Sequence, residues 1–282
     1  MKTPERGVAL ITVLLMMGLA LLVIAGLLRG HRLLVQSTAQ QVHELQMRQW
    51  AFSAEALAQQ LLARDQAHLW TRVHLGQPWA QPGSWLETDA GQVQIAIEDL
   101  GGRLNLGALT MPGRPDAEME RRWARLLAQQ QLPPVTMTDM VAVELSDLSR
   151  LRLIPGLSGQ HVRQLEPLVA LLPSHALLNI NTASAPVLAS LGIPLSVAQQ
   201  LVARRPAEGY PSVQDFLQDP LLSRMALSAH GLALHSDWFR VTVHVTLGNR
   251  QLRWASDLTL DTDRRRLRVV RRRLLSPLDS VL

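Results

Sequence analysis

The sequence predicts an α+β protein: a long N-terminal helix, an antiparallel sheet drawn from both ends of the remaining chain, and a large all-α insertion that interrupts the sheet. Three observations carry this. Val8 to Leu28 runs for 21 residues without an ionisable side chain. Alternating apolar and polar residues mark strands at 92–98 and again from Phe239 onward. Between them, from Arg103 to about Gly231, apolar residues recur at helical spacing.

The chain has 282 residues and a formal charge of +5. That length holds one large or two small domains with a real core once the N-terminal segment is set aside. Cysteine is absent, which excludes disulfides, thiolate metal sites and a cysteine nucleophile. Lys2 is the only lysine, and much of the positive excess sits in one run, RRRLRVVRRR at Arg264 to Arg273. The remainder is nearly neutral, so a general nucleic-acid-binding surface is not implied.

Each element follows from its residues. A span of about 20 apolar residues crosses the roughly 30 Å hydrocarbon core at 1.5 Å per residue, whereas the apolar cores of secretory signals run about 7 to 15. Length favours a retained membrane helix, and Val23-Ile24-Ala25 is only a weak signal-peptidase site. Lys2 and Arg6 flank one end and Arg29 and Arg32 the other, so charge bias does not orient the segment. No breaker follows, and Val35, Ala39, Val42, Leu45, Gln49, Phe52, Ala56 and Gln60 continue at helical spacing. One long helix is expected to leave the membrane and lay this stripe on a soluble domain.

Trp70, Trp79 and Trp85, with neighbouring prolines and glycines, read as an irregular loop over 71–91. GQVQIAIEDLGGRLNL then alternates at Val93, Ile95 and Ile97 and turns at Gly101-Gly102. Glu98 and Asp99 at that strand end are read as solvated or capping, not as a catalytic pair. PDAEMERRWARLLAQQQL has an acidic start and apolar Met119, Trp123, Leu126 and Leu127 at helical spacing. Two related helix–turn–helix units follow, with Ile154-Pro155-Gly156-Leu157 in the first turn and Leu191-Gly192-Ile193-Pro194 in the second. From Asp237 the chain alternates in three runs: Phe239 to Val245, Leu252 with Trp254, and Leu267 with Val269. Turns fall at Gly248-Asn249 and Asp261-Thr262-Asp263. This meander is expected to rejoin the strand at 92–98, with several arginines of its last run facing solvent or an acidic partner.

The N-terminus carries a resemblance. A short basic leader, a glycine and an uninterrupted apolar helix, MKTPERG followed by VALITVLLMMG, resemble a class III, type IV pilin-like prepilin. The resemblance implies cleavage by prepilin peptidase between Gly7 and Val8, N-methylation at Val8, and retention of the apolar helix. It also implies a pilin-like fold. Glycine suits the cut because it has no side chain and lets the backbone extend into a peptidase. Family members normally carry glutamate as the fifth mature residue, and here that residue is Thr12. A carboxylate within a bilayer costs a few kcal/mol unless it has a partner, which in the family is the amino terminus of the preceding subunit. A subunit that starts a fibre has no such neighbour, so Thr12 implies a tip position.

The two helical units resemble helix-hairpin-helix modules, and NINTAS with a later arginine and YPSVQD is similar to DNA-uptake receptors. Such modules hold a phosphate on adjacent hairpin amides. PGLSG is the better cradle of the two turns, since Pro194 has no amide in the second. Only Arg150, Arg152 and Arg163 stand near it, against Asp147 and Glu166, so nucleic acid is not expected as a partner. A membrane-anchored helix-hairpin-helix DNA-binding protein is the alternative reading.

Leader, Thr12, IEDLGGRLNL, a helical insertion containing NINTASAPVL and a terminal meander occur together and in order. As a set they are similar to the K-type minor pseudopilins of type II secretion. That resemblance implies a subunit that initiates and caps the pseudopilus tip and supports protein export across the outer membrane. It implies I-type and J-type minor pseudopilins, other pseudopilins, prepilin peptidase and inner-membrane lipid as partners. It places a single-pass chain in the inner membrane, with a cytoplasmic N-terminus and a periplasmic globular part. The expected divisions are a leader at 1–7, a transmembrane and amphipathic helix at 8–70, a sheet region at 71–102 and 231–282, and the inserted helical domain at 103–230. The family often binds calcium through a D-x-D segment. Here Asp139, Glu144 and Asp147 are too few and too dispersed for the six to eight oxygens calcium prefers, and no calcium site is assigned. His230, His235 and Asp237 lack companion ligands for a transition metal. No P-loop, G-x-S-x-G, HExxH or dinucleotide motif occurs, and no enzyme is expected.

Overall fold

The computed structural model describes residues 6–64, 71–81, 85–88, 91–110, 116–261 and 266–275. The first residues of the expected leader, Trp70, and Thr262 to Arg265 lie outside these. The chain divides into two units, 1–50 and 51–282.

Helix α1 runs unbroken from Arg6 to Arg64. In the first unit, Leu10–Arg29 is long and apolar enough to cross a membrane, and its side chains are solvent-facing. In the second unit the buried face of α1 is not the expected stripe. Ala51, Ala54, Glu55, Ala58 and Leu62 are buried, while Phe52, Ala56 and Gln60 are exposed, as are Val42, Leu45 and Gln49 in the first unit. The reason is local: the buried positions are small alanines that fit where larger side chains do not, and Glu55 has a basic partner on the sheet in Arg272. Bulk predicts burial only where there is room for it.

Strands β1 (Trp85–Thr88) and β2 (Gly91–Asp99) form a hairpin, so the loop expected over 71–91 contains a strand. It also contains a 3₁₀ turn at Pro78–Ala80, whose buried Trp79 stacks edge-on against Phe239 at 5.4 Å. β2 leads through Leu100–Gly102 into β3 (Leu104–Asn105) and then the helical insertion. There, α2 (Ala117–Gln129) is capped by Asp116 and buries Met119, Trp123, Leu126 and Leu127 as expected. It also buries Arg122, which the sequence did not single out. α3 covers Met137–Ala142.

The first expected helix–turn–helix begins with a 3₁₀ segment, Leu148–Leu153, rather than an α-helix, and continues into α4 (Gly159–Leu165). Pro155 holds Ile154 extended, at φ −77° and ψ 128°, which ends the segment there. α5 (Ala185–Ala189), α6 (Leu195–Arg204) and α7 (Val213–Leu217) follow. Two short parallel bridges absent from the sequence reading tie the insertion together. They pair β3 with β4 (Val169–Ala170), and β5 (Leu178–Asn179) with β6 (Leu232–Ala233). Trp123, Leu126, Leu151, Ile180, Leu188 and Phe216 belong to its core.

The meander then forms as β7 (Trp238–Leu247), β8 (Arg250–Asp261) and β9 (Arg266–Leu275), with Gly248 at φ +58° in the first turn. β7 pairs antiparallel with β2 along Gly91–Asp99, giving the sheet order β1-β2-β7-β8-β9. Val93, Ile95 and Ile97 stand opposite Val245, Val243 and Val241 on one face. Residues 103 to 231 thus leave and return between adjacent strands of one sheet.

Candidate functional site

Two regions position what this chain could present: the N-terminal helix, and the joint between sheet and insertion. Gly7 and Val8 lie in the first turns of α1, and Thr12 follows as an exposed residue on the same helix. Backbone N–H and C=O groups satisfied within one helix are what hydrocarbon requires of a spanning segment.

The joint is polar and buried. IEDLGGRLNL and NINTAS, 80 residues apart, meet there. Asp99 caps the turn after β2 by accepting from the Gly101 amide at 2.7 Å. It also accepts from Asn179 Nδ2 at 2.8 Å and the Thr182 hydroxyl at 2.6 Å. Burial pushes the Asp99 carboxyl above the ordinary carboxylate range, and these donors, with the Ser236 hydroxyl, oppose that rise. Asn179 Nδ2 also reaches the Val73 carbonyl at 3.0 Å, and its Oδ1 accepts from the Asn181 amide at 3.0 Å. Asn181 exchanges two bonds with the backbone of Tyr210, at 2.7 and 3.2 Å. Arg205 donates to the carbonyls of Asn181 and Ala183, and burial brings its guanidinium pKa down to about 10. Glycine is required at two contacts: a Cβ at Gly102 would stand 2.6 Å from Thr182, and one at Gly209, where φ is +71°, would stand 2.6 Å from Asn181.

A second joint lies under the sheet. Glu55 of α1 accepts from both Arg272 donors at 2.7 and 2.9 Å and from the Ser256 hydroxyl. Burial alone would raise its pKa, but Arg272 and Ser256 outweigh it and hold the carboxyl below 4.5. Phe52 packs edge-on to Trp254 at 5.2 Å, and the Arg272 guanidinium sits 5.6 Å from its ring centroid. On the opposite sheet face, Arg240 makes a two-point pair with Asp257 at 2.6 and 3.1 Å, and Arg271 pairs with Asp147 of the insertion.

The remaining sequence candidates serve local structure. Glu98 pairs with Arg103 at 2.6 Å. Asp139 forms a capping box with Thr136, and Asp147 caps the 3₁₀ segment as well as meeting Arg271. Glu144 takes a left-handed φ of 47°. His230 bonds Asp116 at 2.8 Å, while His235 and Asp237 line a small open pocket with Gly101, His175, Ser236 and Trp238. Among the described residues no group of three or more His, Cys, Asp or Glu could hold a metal ion. In the PGLSG turn the Ser158 amide donates to His161 Nδ1 at 3.3 Å. An amide that a phosphate cradle needs is therefore used within the turn. Sequence reasoning missed Glu55, Arg122 and Arg205; the cue for the first two was a charged residue amid an apolar helical stripe, whereas Arg205 sits just past a helix end with no such signal.

The comparisons with known proteins agree with this geometry. Residues 178–235, which include NINTAS and the β5–β6 bridge, match the family described as type II secretion system protein K. Type II secretion system protein K of Pseudomonas aeruginosa is 32% identical, over 89% of this chain and 87% of its own length. The Klebsiella pneumoniae protein of the same name is 28% identical over 97% of both chains. A chain in the crystal structure of the GspK–GspI–GspJ complex of enterotoxigenic Escherichia coli matches with a TM-score of 0.70 at 22% identity. That match covers 85% of this chain and 99% of the other.

Proposed function

The chain belongs to the type II secretion system protein K family and is a minor pseudopilin of that system, a structural component, and we propose that it initiates and caps the pseudopilus tip. The observation that supports this is the continuity of α1. An exposed apolar span at Leu10–Arg29 and the turns buried beneath the sheet at Ala51–Leu62 belong to one helix. Peptidase cleavage between Gly7 and Val8, with methylation at Val8, leaves that helix whole as both anchor and fibre-forming element. The cytoplasmic N-terminus is presented to the peptidase and the body is periplasmic. Thr12 removes the carboxylate that would need an earlier subunit, which suits the first position in a fibre. The inserted helical domain supplies bulk that prevents further addition beyond it, so growth proceeds from the membrane end. I-type and J-type minor pseudopilins are its direct partners, as the name of the similar complex suggests.

Co-expression of the full chain with I- and J-type partners in membranes containing prepilin peptidase tests this reading. A processed, co-purifying ternary complex is expected, and Gly7→Val is expected to block processing. Undiminished processing of that variant, or no complex from the wild type, would overturn it. Thr12→Glu is expected to leave processing intact and to let the chain enter internal fibre positions, read by its distribution along sheared pseudopili.

A further inference from the structure

The two edges of the sheet differ. β1 is four residues long, whereas β9 runs for ten, and among the described residues no strand pairs with its outer side. An unpaired edge offers a row of N–H and C=O groups to another chain, and proteins blunt such edges with short strands, bulges and charges. β9 has a bulge at Val270, where the register with β8 shifts between Asp257 and Leu258, and it has five arginines. Protection of an edge is the ordinary reading of those charges, and two of the arginines are already engaged. Arg272 holds Glu55 and Arg271 holds Asp147, while Arg273 is partly buried, its Nε and Nη2 without a hydrogen bond to a described residue.

Arg266 and Arg268 differ from these. Both are exposed, and neither makes an ion pair with a described residue. Asp261 stands opposite Arg266 in the ladder, so Arg268 is the less compensated of the two. They share one face of the strand, and Leu267 and Val269 alternate onto the other. Beyond the bulge, Leu274 also lies on that second face, 53% exposed, opposite Trp254 and beside the half-exposed Phe52. An edge built only to repel strands gains nothing from exposed apolar side chains. Before the bulge this one is cationic on one face and apolar on the other; beyond it Arg272 shares the second face with Leu274 and is taken by Glu55.

We propose that the outer edge of β9 receives an extended segment of a neighbouring pseudopilin as a further strand, one in which carboxylates alternate with apolar residues. Main-chain bonds supply the pairing, Arg266 and Arg268 take the carboxylates, and the Val269, Leu274 and Phe52 side takes the apolar residues. This rests on the pseudopilin partners proposed above.

The test uses the full chain co-expressed with I- and J-type partners. Arg266→Glu with Arg268→Glu is expected to lower the partner recovered in the complex by about tenfold. Arg268→Lys and the distant Arg152→Glu are expected to leave recovery near that of the wild type. The protein has no cysteine, so Arg268→Cys can carry a single benzophenone label. Its adduct is expected within an acidic–apolar alternating strand of a partner. If the wild type assembles and the double charge reversal assembles equally well, the edge is merely protective and the proposal fails alone. An adduct on a partner helix also overturns it. If the wild type recovers neither partner, the functional reading fails and the edge proposal falls with it.

Discussion

At Asp99 a carboxylate is buried with neutral donors alone around it: a backbone amide, an asparagine and hydroxyls. Removing it leaves those donors unsatisfied in a dry site, so Asp99→Ala is expected to cost about 2–4 kcal/mol, read by denaturant unfolding of the full chain in detergent. Glu55 is a different case, because a cation faces it. Its folded pKa is depressed, so its contribution is fully present above the ordinary 4.5 and is lost as pH falls through the folded value. Asp99 runs the opposite way: its folded pKa is raised above 3.8, so its ionisation erodes stability as pH rises through that window. Glu55→Gln is therefore expected to flatten the loss of stability below about pH 4.5, measured as unfolding midpoints across pH. Arg272→Ala leaves Glu55 buried and unpaired at neutral pH. A cost of about 1–3 kcal/mol is expected, at the low side for a buried pair because Arg272 is 45% exposed.

Among the elements, α1 shows the difference between apolar pattern and packing. Its buried residues in the second unit are Ala51, Ala54, Ala58 and Leu62 with Glu55, and larger Phe52 and Leu57 stay exposed. Ala58→Leu should thus overpack the helix–sheet contact by about 1–3 kcal/mol, while Leu57→Ala should cost less than about 1 kcal/mol in the same thermal-unfolding series. The reverse order would put Leu57 rather than Ala58 at the buried contact and overturn this packing. The turn before Tyr210 offers a second check. Gly209→Ala meets both a left-handed backbone and the Asn181 side chain, and a loss of about 2 kcal/mol or more is expected. The strand alternation at Val93–Ile97 and Phe239–Val245 was legible because both strands alternate strictly, with Val93, Ile95 and Ile97 opposite Val245, Val243 and Val241 on one face. β1, β3, β4, β5 and β6 were not, since strands of two to four residues hold too little pattern to register against loop composition.

At the scale of the molecule, the sheet and the insertion are joined by contacts of unequal weight. The Asp99–Asn179–Thr182 seam is buried, while the Arg271–Asp147 pair stands at the surface, with the arginine 46% exposed. Asp147→Asn should then change stability by less than about 1 kcal/mol, and its small effect should vanish in high salt. The sequence by itself determined the apolar anchor, the two groups of strands, the helical insertion between them and the amphipathic helix at Ala117–Gln129. Each depends on periodicity within a short window, where local sterics and solvent exposure set the pattern. It also held both halves of the seam, as IEDLGG and NINTAS, but not their meeting. Which side of α1 faces the sheet, that Glu55 takes Arg272, that Asp147 takes Arg271, and that Asp99 loses its water were decided only in tertiary structure. Those outcomes depend on which surfaces approach closely enough to exclude solvent, and that distance is a property of residues far apart in the chain.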